Sequence, residues 1–281
     1  LSLWSVRVRV PSRILKIKPM ALIAMAVYCT EDNDKDTYLY KTLDSLEKTV
    51  DWDSHRLILS VNSYTTRTKE IIEDFSESNG IFSVIDKVIW NDKNLGTAEA
   101  INLAWKERKP GENCVKIDDD VVIHQSGWIE QMEEVFRRDN TIGQVGLKRK
   151  DCWESPNRTD FYKSELLMLQ HQPGEKWVVV EQVNHVMGTC VMHSAALLDK
   201  IGYLYQPSLY GFDDVLMSIR ARLSGFKSVF LPHIEIEHID TGGTPYQKWK
   251  ENHASEQWKT YHETVQGYKN NTISIYYNPF K

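Results

Sequence analysis

The chain has 281 residues, with 34 Lys and Arg against 39 Asp and Glu, a formal net charge of −5. Hydrophobic residues make up 41% and charged residues 26%, near the globular average, which excludes bulk disorder and collagen-like or low-complexity chains. A pI near 6.0 argues against a protein whose main partner is nucleic acid.

Residues 1–19 contain Arg7, Arg9, Arg13, Lys16 and Lys18 and no acid. Arg7 and Arg9 interrupt the apolar core that a secretory signal needs. A transit peptide, a basic membrane-surface arm and a non-native translated stretch are the readings left open. Met20 stands immediately before the first convincing strand and is favoured as the native start. The working chain then has 262 residues, and loss of five basic groups leaves 29 against 39, a charge of −10. The division expected is a 1–19 extension, a main domain over 20–240 and a C-terminal helical extension over 241–281.

From residue 20 onward, strand and helix alternate. Ala21–Cys29 is a continuous apolar run, the sign of a strand buried on both faces. Leu39, Leu43, Leu46 and Val50 recur at helical spacing. Leu57–Val61 reads as a second strand, Thr68–Ser76 as a helix and Val84–Trp90 as a third strand. Ala98–Glu107 reads as a helix opened by the Gly96-Thr97 turn, and Cys114–Ile117 as a fourth strand. This alternation predicts an α/β fold with a mostly parallel sheet flanked by helices. Ligands of such sheets bind beyond the strand carboxyl ends. The polar loops 30–36, 62–67, 91–97 and 118–120 all lie there, so they should converge.

The second half is less regular. Asp151–Gly174 shows no periodicity. Val178–Val183 and Val186–Met192 read as strands, Ser194–Ile201 and Asp213–Leu223 as helices closed by Gly202 and Gly225. Val229–Leu231 and Ile234–Ile236 are short strand candidates, and a polar helix rich in Trp and Tyr follows. Cys29, Cys114, Cys152 and Cys190 lie far apart with no C-x-x-C pair, which suits buried thiols in a reducing, cytoplasmic setting. No run of 18 apolar residues predicts a transmembrane helix.

Chemistry concentrates in two segments. Asp118-Asp119-Asp120 ends the fourth strand, and three adjacent carboxylates there repel one another unless hydrated or bound to a cation. Mg2+ or Mn2+ takes one or two carboxylates plus phosphate oxygens and water. Alternate side chains of an extended segment point one way, so Asp118 and Asp120 can share a ligand while Asp119 faces away. Asp213-Asp214 opens a helix, an ordinary capping signal that also suits a general base. His238 becomes a candidate metal ligand if the fold brings it to the aspartates. His185 and His193 read as ordinary satisfied histidines.

Together these segments resemble the glycosyltransferases of the GT-A fold, family 2 in particular, over about residues 21–240. Lys41–Leu46 resembles that family's first helix, and Asn94–Asn102 its N-x-G-x-x-x-A-x-N turn. Residues 118–120 with Gly127-Trp128 resemble its D-x-D segment and the helix start that follows. Met187–Cys190 and Ile201-Gly202 resemble the acceptor-side strand and loop, Gly211–Arg220 the "E-D" helix, and Pro232–His238 the closing strand. The chain departs from the pattern at Val61-Asn62, Asp213, Leu216 and Ile101.

The resemblance implies a UDP- or GDP-sugar donor and a glycan, lipid-linked or protein acceptor. It implies a divalent cation, Mn2+ or Mg2+, on Asp118, Asp120 and His238, with Asp214 as the inverting general base and Asp213 positioning the acceptor or supporting that base. Thr30, Glu31, Asn62, Asn94, Gly96, Asp118 and Asp119 are the expected donor contacts. Trp128, Trp153 and Trp177 read as core more readily than as sugar-stacking faces. The tail, with Trp249, Trp258, Tyr261 and Tyr268, either closes over the acceptor site or mediates a homodimer. Peripheral attachment at an inner membrane face stays open beside the cytoplasmic reading. Two other functions compete: a silent sugar-nucleotide binder on the same fold, and a nucleotidyltransferase. The latter expects a Gly-rich basic loop where Tyr28–Asp32 is acidic.

Overall fold

A computed structural model describes residues 21–33, 35–76, 83–151, 164–170, 172–240 and 245–281. The expectations for residues 1–19, for Cys152 and for Trp153 lie outside the described residues.

Five strands that run in one direction are β1 (Ala21–Tyr28), β2 (Arg56–Ser63), β3 (Ile85–Trp90), β4 (Asn113–Asp118) and β6 (Ile142–Arg149). The remaining strands are β5 (Val121–Ile123), β7 (Glu165–Leu169), β8 (Val178–Val183), β9 (Cys190–His193) and β10 (Lys227–His238). They form one sheet in the order β3-β2-β1-β4-β9-β6-β10-β8-β7, with β5 paired to β10. β1 is parallel to β2 and β4, β2 to β3, and β6 to β10. β9 runs antiparallel between β4 and β6. The sheet is therefore mixed but mostly parallel, as the alternation predicts.

Helices cover both faces because β1 sends alternate residues to each. Ile23, Met25 and Val27 join one core with Leu39, Leu43 and Leu46 of α1 (Lys35–Thr49), Ile71, Ile72 and Phe75 of α2 (Thr66–Ser76), and Trp128 and Met132 of α4 (Trp128–Arg138). Leu22 and Ala24 face the other core. It is closed by Ile101 and Trp105 of α3 (Gly96–Trp105), Leu197 and Ile201 of α5 (Ala195–Ile201), and Met217 of α6 (Asp213–Leu223). Trp128 is thus core, while Trp177 is exposed. Cys29, Cys114 and Cys190 are buried free thiols.

Four elements differ from the sequence reading. The segment expected as one strand over Val186–Met192 is strand only from Cys190, because Val186 and Gly188 donate their N–H groups to α6 side chains, Ser218 Oγ and Asp214 Oδ2. The aperiodic stretch 151–174 contains β7, an edge strand specified by its pairing with β8 rather than by its own pattern. The two short candidates near Pro232 are one strand, β10, whose register against β6 shifts between Leu231 and Glu235. The single helix expected in the tail is two, α7 (Pro245–Glu256) and α8 (Trp258–Lys269).

The last residues dock onto the body. Tyr203 N–H donates to the Tyr277 carbonyl at 2.8 Å and Tyr277 N–H to the Ile201 carbonyl at 3.0 Å. Arg220 is fully buried and donates to the carbonyls of Ile201, Tyr203 and Ile275, which satisfies a guanidinium that could not otherwise leave water.

Candidate active site

The carboxyl ends of β1, β2, β4, β6 and β10 meet in a cleft of about 940 Å3. Of the expected site residues, Asn62, Asn94, Gly96, Asp118, Asp119, Asp120, Asp213, Asp214 and His238 line it. Thr30 and Glu31 do not: Thr30 N–H is tied to Asn33 Oδ1 at 3.0 Å, and Glu31 is an exposed turn residue.

The loop after β3 is built around Asn62 and Asn94. Asn62 donates to the Gly96 carbonyl at 3.1 Å and accepts from Leu95 N–H at 3.2 Å and Asn91 Nδ2 at 3.1 Å. Asn62 therefore staples loop 91–96 to the end of β2. Asn94 Oδ1 accepts the Gly96 N–H at 2.9 Å. Gly96 has φ +79°, and a Cβ there would come 2.7 Å from the Leu209 carbonyl oxygen, so only glycine fits.

The three aspartates do not act as one set. Asp118 Oδ1 accepts from Lys116 Nζ at 2.8 Å, because residues two apart on β4 share a face. Asp119 and Asp120 both turn to Lys35 of α1, which also meets Asp240 Oδ2 at 3.2 Å. Asp119 thus does not face away from Asp120, and Asp118 does not share Asp120's partner; the turn after β4 breaks the alternation that predicted both. Burial pushes the Asp119 carboxyl up to about 6, against the pull of the Lys35 charge. Burial also opposes ionisation of Asp120, but Lys35 and His238 outweigh it and hold its carboxyl below the usual range.

On the opposite wall, Asp213 and Asp214 begin α6. Asp214 Oδ2 accepts the Gly188 N–H at 3.0 Å and lies 3.2 Å from His185 Nε2. Burial works against ionisation of Asp214. The nearby His185 ring, Lys116 and the Gly188 amide overcome it and lower the carboxyl to about 2. At Asp213 burial dominates and raises the carboxyl to about 6, with Lys116 Nζ 3.8 Å away only partly offsetting. Gly188 itself is constrained, since a Cβ would approach Lys116 Nζ to 2.8 Å and Asp214 Cβ to 3.1 Å.

Sequence reasoning missed Lys35, Lys116, His185 and Asp240. Lys116 was legible from its two-residue offset to Asp118. The others reach the site only through tertiary packing.

A family profile for glycosyltransferase-like family 2 matches residues 19–258. The chain belongs to this family. Its mixed, mostly parallel sheet flanked by helices is that of the GT-A fold. No curated protein sequence matches it. Among solved structures it is similar to a mannosyltransferase from Pyrobaculum calidifontis in complex with GDP-Man and Mn2+, with TM-score 0.58, 15% identity and coverage of 83% of this chain and 60% of that one. It is also similar to GalNAc-T7 with UDP, GalNAc and Mn2+, with TM-score 0.57, 14% identity and coverage of 79% and 44%. A third is S. aureus TarS in complex with UDP-GlcNAc, with TM-score 0.55, 15% identity and coverage of 80% and 61%. The chain spans less than two thirds of each neighbour's length.

Two of these neighbours hold Mn2+. In this family 2 chain, Asp120 Oδ1 is buried with no hydrogen-bond partner and lies 3.4 Å from His238 Nε2. One carboxylate oxygen and one imidazole suit a divalent cation whose other positions go to phosphate oxygens and water. The expected third ligand, Asp118, has its Oδ1 on Lys116 Nζ, and among the described residues no three His, Cys, Asp or Glu groups stand ready around one ion. Among the described residues no helix is long and apolar enough to cross a membrane.

Proposed function

We propose that this glycosyltransferase moves a sugar from a UDP- or GDP-sugar to an acceptor hydroxyl with inversion at the anomeric carbon. The observation that carries this reading is the pairing, across one cleft, of a buried carboxylate–imidazole half-site at Asp120 and His238 with the Asp214 carboxylate held beside His185 and the Gly188 amide.

The acceptor oxygen attacks the anomeric carbon as its proton passes to Asp214. The bond from that carbon to the diphosphate breaks, and nucleoside diphosphate leaves. Asp120 and His238 would hold the divalent cation, which when bound neutralises charge growing on the leaving diphosphate. Lys35 keeps Asp119, Asp120 and Asp240 from repelling one another, so the acidic pocket persists before any cation arrives. Asp213 stays beside Lys116 and supports the helix start rather than meeting the acceptor.

A thermal-shift screen of UDP, GDP and their sugars with and without Mn2+ tests this reading. A ligand that binds the native state raises the melting temperature. A rise with UDP or GDP that grows with Mn2+, followed by transfer from the matching sugar, is expected. Absence of any nucleotide-dependent rise overturns it. The silent-binder alternative is recognised by nucleotide binding with no turnover from any donor.

A further inference from the structure

Next to Asp214 the cleft wall is aromatic. Tyr210 and Phe212, from the loop leading into α6, and Trp249, from α7, all line it. The tail thus comes back to the cleft, one of the two roles the sequence left open for it.

These rings are fixed in place. Phe212 stacks on Tyr261 with centroids 4.6 Å apart and planes at 19°, and meets Trp258 edge-on at 5.2 Å. Trp249 packs on the His253 ring at 4.2 Å and lies 6.2 Å from Tyr210. Phe212 also has φ +67°, a left-handed conformation that a bulky residue keeps only where its surroundings enforce it. The rings are thus ordered before any ligand arrives, which lowers the entropy lost on binding.

The charge around them selects further. Among the described residues lining the cleft there are eight Asp and Glu against four Lys and Arg. Lys116 is held by Asp118 and the Gly188 carbonyl, and Lys250 lies 3.3 Å from Asp240. A divalent cation offsets only part of this excess, and the donor's diphosphate adds negative charge of its own. A polyanionic acceptor would be repelled. A neutral polyol is not, and its hydroxyls can donate to the carboxylates while its ring C–H face lies on aromatic carbon.

We propose that the acceptor is a neutral saccharide whose ring packs on the wall formed by Tyr210, Phe212 and Trp249, beside Asp214. This rests on the reading of Asp214 as the general base, and it commits to carbohydrate over peptide, lipid phosphate or polyol phosphate.

The test uses the full chain with UDP or GDP and Mn2+. Saturation-transfer NMR is recorded with neutral oligosaccharides, a polyol-phosphate polymer and a Ser/Thr peptide, and the same compounds are offered as acceptors. Saturation transfer to the ring protons of a neutral saccharide is expected, lost at least tenfold in Trp249→Ala and recovered in Trp249→Phe. The thermal shift caused by the nucleoside diphosphate should survive in both variants, which separates loss of the wall from loss of the fold. Binding confined to the polyanion or to the peptide overturns the proposal, as does saccharide binding unchanged in Trp249→Ala. Failure of the transferase reading looks different: no nucleoside diphosphate then shifts the melting temperature of the wild type.

Discussion

His185 Nε2 lies 3.2 Å from the Asp214 oxygen that also accepts the Gly188 amide. The two residues come from different elements, the loop before β9 and the first turn of α6. Burial lowers a histidine's basicity, yet the Asp214 partnership leaves His185 raised above its ordinary value. The same contact helps hold the Asp214 carboxyl below its ordinary value, against burial.

A pH dependence follows from this pair. The depressed Asp214 carboxyl contributes stability that is present above its ordinary value of 3.8 and lost as pH falls towards about 2. The raised His185 contributes stability fully present below 6.5 and lost as pH rises through its folded value. Asp213, Lys116, Tyr210 and Tyr261 are the other ionisable groups acting on the pair. His185→Ala should lower kcat and move the acid limb of the kcat profile upward, because Asp214 loses the imidazole 3.2 Å from its carboxylate. An unmoved acid limb means that His185 does not set the basicity of Asp214.

Asp214→Asn removes the proton acceptor but keeps the shape. Transfer should fall by about 10²–10⁴-fold, the range typical of general-base loss, while nucleotide-dependent thermal shifts remain. Retained turnover in this variant would sink the base assignment.

Asp213→Asn should stabilise the protein at neutral pH. Its carboxyl is raised to about 6, so between 3.8 and 6 the folded state binds more proton than the unfolded one, and stability falls as pH rises. Two units at about 1.4 kcal/mol each set an upper limit of about 3 kcal/mol. Denaturant titrations at pH 7.5 and pH 4 should show the gain at the first and little at the second.

His193 is buried against Trp105, with ring centroids 5.0 Å apart and no hydrogen-bond partner on either nitrogen. Burial lowers it to about 3, with the Lys116 and Arg220 charges adding to the effect. As pH falls below 6.5 the unfolded chain takes a proton that the native one refuses, so stability drops by about 1.4 kcal/mol per pH unit from this residue. His193→Leu should flatten the acid side of the stability profile between pH 6.5 and pH 4. An equally steep profile in the variant assigns acid sensitivity elsewhere.

Gly202 has φ +78°, and a Cβ there would stand 2.0 Å from the Tyr277 carbonyl oxygen. Gly202→Ala should therefore detach the tail and destabilise the protein by about 2–3 kcal/mol, an overpacking and strain effect. Faster proteolysis after residue 270 would report the detachment, and wild-type protection would exclude it.

How much was legible in the sequence depended on the range of the interactions. Strands β1–β4 and the helices between them were readable because each is specified by its own apolar spacing. Asp118–Asp120, Asp213, Asp214 and His238 were readable because short motifs keep their spacing along the chain, and all six line the cleft. β7 was not, since an edge strand takes its form from pairing with β8. Nor was the loop at Gly188, whose amide bonds to a side chain 26 residues away.

By itself, the sequence determined the alternating α/β order, the convergence of polar loops at the strand carboxyl ends and the identity of the acidic groups. Those follow from local periodicity and from residue chemistry. Only the tertiary structure decided how the acids are divided. Lys35 gathers Asp119, Asp120 and Asp240, Lys116 takes Asp118, and His185 with Gly188 fixes Asp214. A carboxylate's basicity is set by its burial and by the charges within a few ångströms, and most of those neighbours are distant in the chain. For the same reason, only folding could bring the tail's Trp249 to the wall that Tyr210 and Phe212 begin.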